Sequence, residues 1–372
     1  MRQDNVQRKV HGASWFFLSL ICVYLCVVMI LWKTNIGSHI TMVQNLILSQ
    51  SMIFVPTIIY ILISKCDLRE TLRLKKTHWL AIIIVPAFVV ALEPLMTLIN
   101  AISLLWVESA TTELATGLVS NHKLWVSTLL MAVTPGIVEE LAYRGVIMGS
   151  YRYGSRLAAI IIGGIMFGAM HMNFNQMAYA MVLGMMLGFL AEATGSIFTT
   201  MYAHFCFNEI SVIISYIASH VSVLKEMVEK QASEGIAADQ LKQTILIYIP
   251  FAFMGLCAAA AMIVLLAYLN GRHMDMLAMF RRNRNTEAKR PRIISVPLVL
   301  ALCVCIGFMI ITEYVIQCLH YYRCGHLHIN AVNPCRGTSR MRWYTVRQHP
   351  PEYRLFWKMQ FRHRRCHPLC CS

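Results

Sequence analysis

Charge is scarce in this chain. Only 14% of its 372 residues are Asp, Glu, Lys or Arg. Acid is scarcer than base, 18 residues against 33, which leaves a net charge of +15. Soluble domains carry about 25% charged residues, so 57% hydrophobic residues and a mean hydropathy of +0.56 exclude an ordinary soluble globule. Alternating ten-residue segments are missing, which excludes a transmembrane β-barrel. The 13 cysteines include no Cys-x-x-Cys pair, so neither a disulfide framework nor a zinc ribbon is indicated. Most of them sit singly in apolar runs, where Cys behaves as a small hydrophobe. No nucleic-acid module accompanies the positive charge; its expected partner is the anionic headgroups of a lipid bilayer, and no nucleic-acid partner is expected. A Gly-x-Ser-x-Gly elbow, a Cys with a catalytic neighbour and a His-Glu-x-x-His pair are all absent.

Long apolar runs fill the space that charge leaves. Apolar spans, several of them reaching the ~20 residues needed to cross ~30 Å of hydrocarbon, fall at about 14–32, 40–64, 79–106, 124–147, 157–170, 177–193, 197–218, 244–269 and 293–316. An isolated segment in lipid must satisfy its own backbone, so each is expected to be a helix. The predicted fold class is all-α: a polytopic membrane bundle of about 8–9 transmembrane helices with its active site inside. Three regions are expected: a basic N-terminus at 1–13, a membrane domain at 14–318 with its functional core at about 120–218, and a tail at 319–372. The segments 65–76, 144–156 and 272–292 are basic like the N-terminus, whereas 107–122 and 220–243 are acidic or mixed. By the positive-inside rule the basic group faces the cytoplasm. The stretch 220–243 reads as a short amphipathic helix outside the core. The tail holds ten Lys or Arg, five Cys and six His with no clear period. It reads as a disordered basic segment, a loose metal site through Cys366, Cys370 and Cys371, or sequence not native to the fold.

Against this background one stretch stands out: Thr134-Pro-Gly-Ile-Val-Glu139-Glu140-Leu-Ala-Tyr-Arg144-Gly145. A charge at membrane depth costs about 2.5–3.5 kcal/mol on insertion scales, so its presence points to function. Glu140 and Arg144 are four apart and can pair on one helix face, while Glu139 is rotated by about 100° and can point elsewhere. Pro135-Gly136 is expected to break the helix one turn earlier. Two more polar features follow in later spans. They are Phe167-x-x-x-His171, with Met172-Asn173 after it, and His204-x-x-x-Asn208, each with its two named residues on one face of a helix. Singly, each has a bland reading: a charge cluster at a helix end, a structural His, an Asn holding two helices together. Together, on neighbouring antiparallel spans, they can meet at one cavity.

A carboxylate with two imidazoles suits water activation. Glu139 would act as general base and His171 would help hold the water. His204 and Asn208 would donate to the oxyanion of an attacked carbonyl. Alternatively, Glu139, His171 and His204 would ligate a divalent metal such as zinc; with no His-Glu-x-x-His pair, no cofactor is the first expectation. In their order and spacing, Glu139-Glu140-x-x-x-Arg144, Phe167-x-x-x-His171 and His204-x-x-x-Asn208 resemble the signature motifs of the CPBP family. These are the CAAX prenyl protease and bacteriocin-processing intramembrane endopeptidases. Thr194-Gly195-Ser196-Ile197 also resembles the family's run into its third motif, and the likeness covers about 125–210.

The resemblance implies a multi-span hydrolase with catalytic Glu139, His171, His204 and Asn208, supported by Glu140, Arg144 and Phe167. It implies a peptide or membrane-protein substrate. The short loops suggest a bacterial plasma membrane with the N-terminus cytoplasmic, and peptide maturation, regulator processing or bacteriocin immunity as the role. Two other classes stay open. A proton-coupled transporter would use Glu and His as a relay, although no repeated half supports it. A non-catalytic membrane scaffold would need none of these residues.

Overall fold

The computed structural model describes residues 3–64, 68–107, 117–226, 238–280 and 292–330, with side chains up to 315 in the last segment. Residues 319–330, where the sequence shows no helical period, continue the last helix; residues 331–372 of the tail and the middle of the 220–243 stretch lie outside the described residues. Ten helices carry the fold: α1 (Gln3–Thr34), α2 (Met42–Ser64), α3 (Ala81–Ser103), α4 (Leu124–Tyr151), α5 (Arg156–Ala169), α6 (Phe174–Thr194), α7 (Ile197–His220), α8 (Ala238–Leu269), α9 (His273–Phe280) and α10 (Val296–Asn330). No strand occurs among the described residues. The chain is a polytopic helical bundle, with eight helices among the described residues long and apolar enough to cross a membrane.

Three expectations about element boundaries change. The first span extends back through the polar N-terminal residues to Gln3, because Gln3 to Ala13 continues as helix with Val10 and Ala13 buried. The fifth apolar run is a helix of only 14 residues, about 21 Å long and short of the hydrocarbon thickness. It forms an antiparallel hairpin with α6. Pro135 does not break α4. Two π-helical stretches, Leu129–Val133 and Leu141–Ile147, flank the α-helical Thr134–Glu140, and helical conformation runs on through all three. Thr134 gives both its backbone N–H and, at 2.7 Å, its hydroxyl to the Leu129 carbonyl. The helix changes register where proline lacks its donor.

Helix α6 is the central one. In its apolar window 61% of residues are buried, against 11–33% in the other long helices. It packs on α5 along one side and on α3, α7 and α8 along others. The α5–α6 contact is close because Gly164 and Gly168 present no side chain. A Cβ on Gly168 would stand 2.7 Å from the Met177 carbonyl oxygen. A second close approach sets the site. Gly136 of α4 lies against the α7 backbone, where a Cβ would meet the Met201 carbonyl oxygen and the Phe205 nitrogen at 3.3 Å each. Large apolar side chains such as Leu62, Ile63, Ile82, Phe253 and Val264 stay exposed on the outer faces, where lipid would cover them.

The basic segments meet at one end of the bundle. Arg73, in the turn after the short helix Leu68–Thr71, pairs with Glu192 near the end of α6 and donates to the Ala191 carbonyl at 2.7 Å. Arg272 lies 3.6 Å from the same carboxylate and Arg156 lies 4.0 Å from it. Burial pushes the Arg73 guanidinium down to about 10, against the pull of Glu192, so it stays charged at neutral pH. Lys9 lies over the Tyr153 ring at 3.7 Å, and Gln7 exchanges hydrogen bonds with the Arg292 backbone. The starts of α1, α5, α7 and α10 and the ends of α4, α6 and α8 therefore share one face of the molecule.

Because Gly136 sets the α4–α7 distance, replacing it tests the packing directly. Gly136→Val is expected to cost about 1–3 kcal/mol, the usual range for forcing extra carbons into a packed contact. A thermal melt of the detergent-purified protein should show the loss, with Gly136→Ala closer to wild type.

Candidate active site

The three sequence motifs arrive from three directions. Glu139 and Glu140 lie near the middle of α4, as the α-helical turn gives way to the second π-helical stretch. Adjacent residues on a helix diverge by about 100°, and the two carboxylates do part. Glu140 points inward and is 0% exposed. Its Oε1 lies 2.9 Å from Arg144 Nη1 and 2.9 Å from His204 Nδ1. Glu139 turns towards α2, keeps 12% of its side chain exposed, and its Oε1 accepts a hydrogen bond from Gln50 Nε2 at 3.0 Å. One carboxylate is thus neutralised inside the protein while its neighbour stays reachable.

Arg144 is buried as well, at 4% exposure. Besides Glu140 it reaches the Gly184 carbonyl of α6 at 3.2 Å, and its guanidinium sits 4.6 Å from the centre of the Phe167 ring. That ring is the hub of the site. It meets Tyr143 at 5.1 Å, His171 at 5.2 Å and His204 at 5.7 Å, each edge to face. Edge-to-face packing lets the positive rim of one ring meet the negative face of the next, and the guanidinium uses the same negative face. A single aromatic side chain of α5 therefore touches residues of all three motifs.

His171 is not on the helix that its four-residue spacing from Phe167 predicts. Helix α5 ends at Ala169, and His171 stands in the turn before α6. The turn is tight: Met172 takes a left-handed conformation, φ 52°, and Asn173 caps α6 by accepting from the Gln176 N–H at 3.0 Å. Asn175, one residue into α6, donates to Asn100 Oδ1 and Ser103 Oγ of α3 and pins the turn there. His171 Nδ1 lies 2.8 Å from the Phe167 carbonyl, one of the acceptors left over at a helix end. A carbonyl only accepts, so Nδ1 carries the proton and the neutral ring keeps a lone pair on Nε2.

The same reasoning applies to His204, which is 3% exposed. A carboxylate paired with Arg144 accepts, so Nδ1 of His204 donates to Glu140. Its Nε2 then faces Glu139 Oε2 across 4.0 Å. A neutral His204 offers a lone pair there, and only the doubly protonated ring can donate to an oxyanion. Asn208 follows one turn later on α7, half-buried, and makes no hydrogen bond with a described residue. The structure thus gathers Glu139, Glu140, Arg144, Phe167 and His204, with His171 joined through the Phe167 ring rather than to Glu139, and Asn208 along the same helix as His204.

Among the described residues, no three His, Cys, Asp or Glu groups converge closely enough to hold a metal ion. Nδ1 of His204 donates to Glu140 and Nδ1 of His171 to a carbonyl, so on each neutral ring Nε2 is the nitrogen that keeps a lone pair. Sequence reasoning missed Gln50. The available signal was a polar run, Ser49-Gln50-Ser51, inside an otherwise apolar span. Gln50 lines a groove of about 280 Å³ between α2 and α4, together with Leu46, Ile47, Phe54, Leu130 and Val138. Glu139 is not one of its lining residues; the groove is tied to it through the Gln50 hydrogen bond.

Searches of curated proteins and of solved structures found no match to this chain. Residues 121–210, the stretch that carries all three motifs, match the family model described as type II CAAX prenyl endopeptidase Rce1-like, in agreement with the resemblance to the CPBP family.

Proposed function

We propose that this chain is an intramembrane endopeptidase that hydrolyses a peptide bond with water activated by Glu139. The family match supports an intramembrane CAAX-type endopeptidase in general terms. The observation that carries the finer reading is the division of labour between adjacent carboxylates. Glu140 is sealed by Arg144 and His204, and Glu139 keeps part of its side chain exposed and is held by Gln50, a wall residue of the α2–α4 groove.

In this reading the substrate lies in the α2–α4 groove with its carbonyl between Glu139 and α7. Water donates one hydrogen to Glu139 Oε2 and the other to the Nε2 lone pair of His171. Glu139 takes the proton as the water oxygen attacks the carbonyl carbon. The oxyanion receives hydrogen bonds from the Asn208 amide and from the doubly protonated His204, whose flanking carboxylates provide the counter-charge. Glu139 then passes its proton to the amide nitrogen as the C–N bond breaks. Glu140, Arg144 and Phe167 take no part in proton transfer; they fix where His204 and His171 stand. No metal is needed for any step. The substrate class is a peptide or membrane protein whose cleaved bond reaches the bilayer. We place the protein in a bacterial plasma membrane, with the Arg73–Arg156–Arg272 end cytoplasmic by the positive-inside rule. Peptide maturation, processing of a membrane regulator and bacteriocin immunity are the roles that fit.

The test is cleavage of a quenched fluorescent peptide library by detergent-purified protein. Glu139→Ala is expected to lower kcat/KM by about 10²–10⁴, the usual contribution of a general base, with an unchanged melting temperature. A chelator should leave the wild-type rate as it is. Glycosidic, lipid or transport activity with no peptide cleavage would overturn the reading. Glu140→Gln should behave differently from Glu139→Ala. It leaves Arg144 buried without its counter-charge, a change that costs about 3–5 kcal/mol, so both activity and melting temperature should fall.

A further inference from the structure

The mechanism above leaves one polar group beside Glu139 unused. Gln50 is the only amide that touches the proposed base among the described contacts, and it comes from α2, a helix that carries none of the motifs. Its geometry is informative on both sides. Glu139 as a carboxylate can only accept, so the amide must turn its N–H towards it. Nε2 stands 3.0 Å from Glu139 Oε1. That bond takes one carboxylate oxygen out of play and leaves Oε2, the oxygen that faces His204 Nε2 across 4.0 Å. The choice of proton-accepting oxygen thus rests on Gln50.

The other end of the amide is equally constrained. With Nε2 towards Glu139, Oε1 is buried and has no hydrogen-bond partner among the described residues. A buried acceptor without a donor is unfavourable, and such a group calls for an explanation. Its position supplies one. Gln50 is a wall residue of the α2–α4 groove, whose other lining side chains are apolar except Ser51 and Thr134. An extended peptide entering that groove brings backbone N–H groups that would otherwise be stranded among Leu46, Phe54, Leu130 and Val138.

We propose that Gln50 is a positioning and substrate-binding residue: its N–H holds Glu139 through Oε1, and its carbonyl accepts a backbone N–H of the bound peptide next to the scissile bond. The assignment rests on the proteolytic reading of the site. It makes the amide a two-way gauge, joining the base to the peptide it acts on. Ser51 and Thr134 do not compete for the role, since neither bonds Glu139; Thr134 spends its hydroxyl on the Leu129 carbonyl and Ser51 on the Ile47 carbonyl.

The experiment combines one enzyme variant with a substrate series. Gln50→Met keeps the length of the side chain and removes a buried acceptor that has no partner among the described residues, so the full-length protein should melt at or above the wild-type temperature. A cleaved peptide is then remade with each backbone amide near the scissile bond replaced in turn by an ester, which removes one N–H at a time. For wild type, one ester position should lower kcat/KM by about tenfold, the size of one hydrogen bond to a neutral group. In Gln50→Met the same ester should cost nothing further, while kcat for the all-amide peptide falls because Glu139 is no longer held. Two results overturn the proposal: a variant that cleaves like wild type, or an ester penalty that persists undiminished in the variant. A wild-type protein that cleaves no peptide overturns the proteolytic reading itself, which separates the two failures.

Discussion

A carboxylate and a guanidinium placed where water does not reach must satisfy each other, and much of this bundle follows from that requirement. Glu140 and Arg144 are both almost fully buried in the middle of α4. Such a pair adds little net stability, because desolvation offsets the attraction, but losing either partner is severe. The pair therefore acts on arrangement more than on stability. Arg144 needs further acceptors and finds the Gly184 carbonyl and the face of Phe167. Glu140 uses the same Oε1 that faces Arg144 to hold His204 by Nδ1. Through those contacts α5, α6 and α7 are all referenced to one turn of α4. Gly136 lets α7 come near enough for the last of them.

Much of this could be read from residue order, for a definite reason. In an apolar chain each polar residue is conspicuous, so the Glu-Glu, His and Asn positions stood out, and a pairing at four-residue spacing anticipated the Glu140–Arg144 contact. The divergence of Glu139 from Glu140 followed from helix geometry in the same way. The apolar runs likewise announced the helices. What escaped was whatever depends on where a helix stops or changes pitch. Phe167 and His171 have helical spacing, yet the Met172 turn ends the helix first, and nothing in four-residue spacing distinguishes a residue on the last turn from one just past it. Pro135 reads as a break because it lacks an N–H; the π-helical stretch before it accommodates that lack without interruption. Gln50 escaped because an isolated amide in an apolar span has many uses, and only a neighbour from another helix reveals which. The roles of His171, His204 and Asn208 in turnover are matters of chemistry that position alone does not decide.

The basic end of the molecule shows how charge pattern and packing agree. Arg73, Arg156 and Arg272 come from three segments far apart in sequence and converge on Glu192. The clustering gathers at one end the positively charged connections that sequence alone assigned to one side of a membrane. It also fastens the region just before α7: the Ser196 hydroxyl donates to the Lys75 carbonyl and the Ile197 N–H to the Arg73 carbonyl. The helix that carries His204 is thereby anchored at its first residue, two turns below the imidazole.

The two adjacent glutamates answer to different neighbours, and that separation has an evolutionary corollary. Glu140 is bound to α7 through His204 and, by way of Arg144, to α5 and α6, whereas Glu139 has its described hydrogen bond from α2 alone. Residues along the groove face of α2 touch neither Glu140 nor Arg144 in any described bond, so that wall is free to diversify while the scaffold behind it stays fixed. A lineage built this way would acquire new targets by exchanging the lining of a single helix, keeping the inward-facing half of its machinery unaltered.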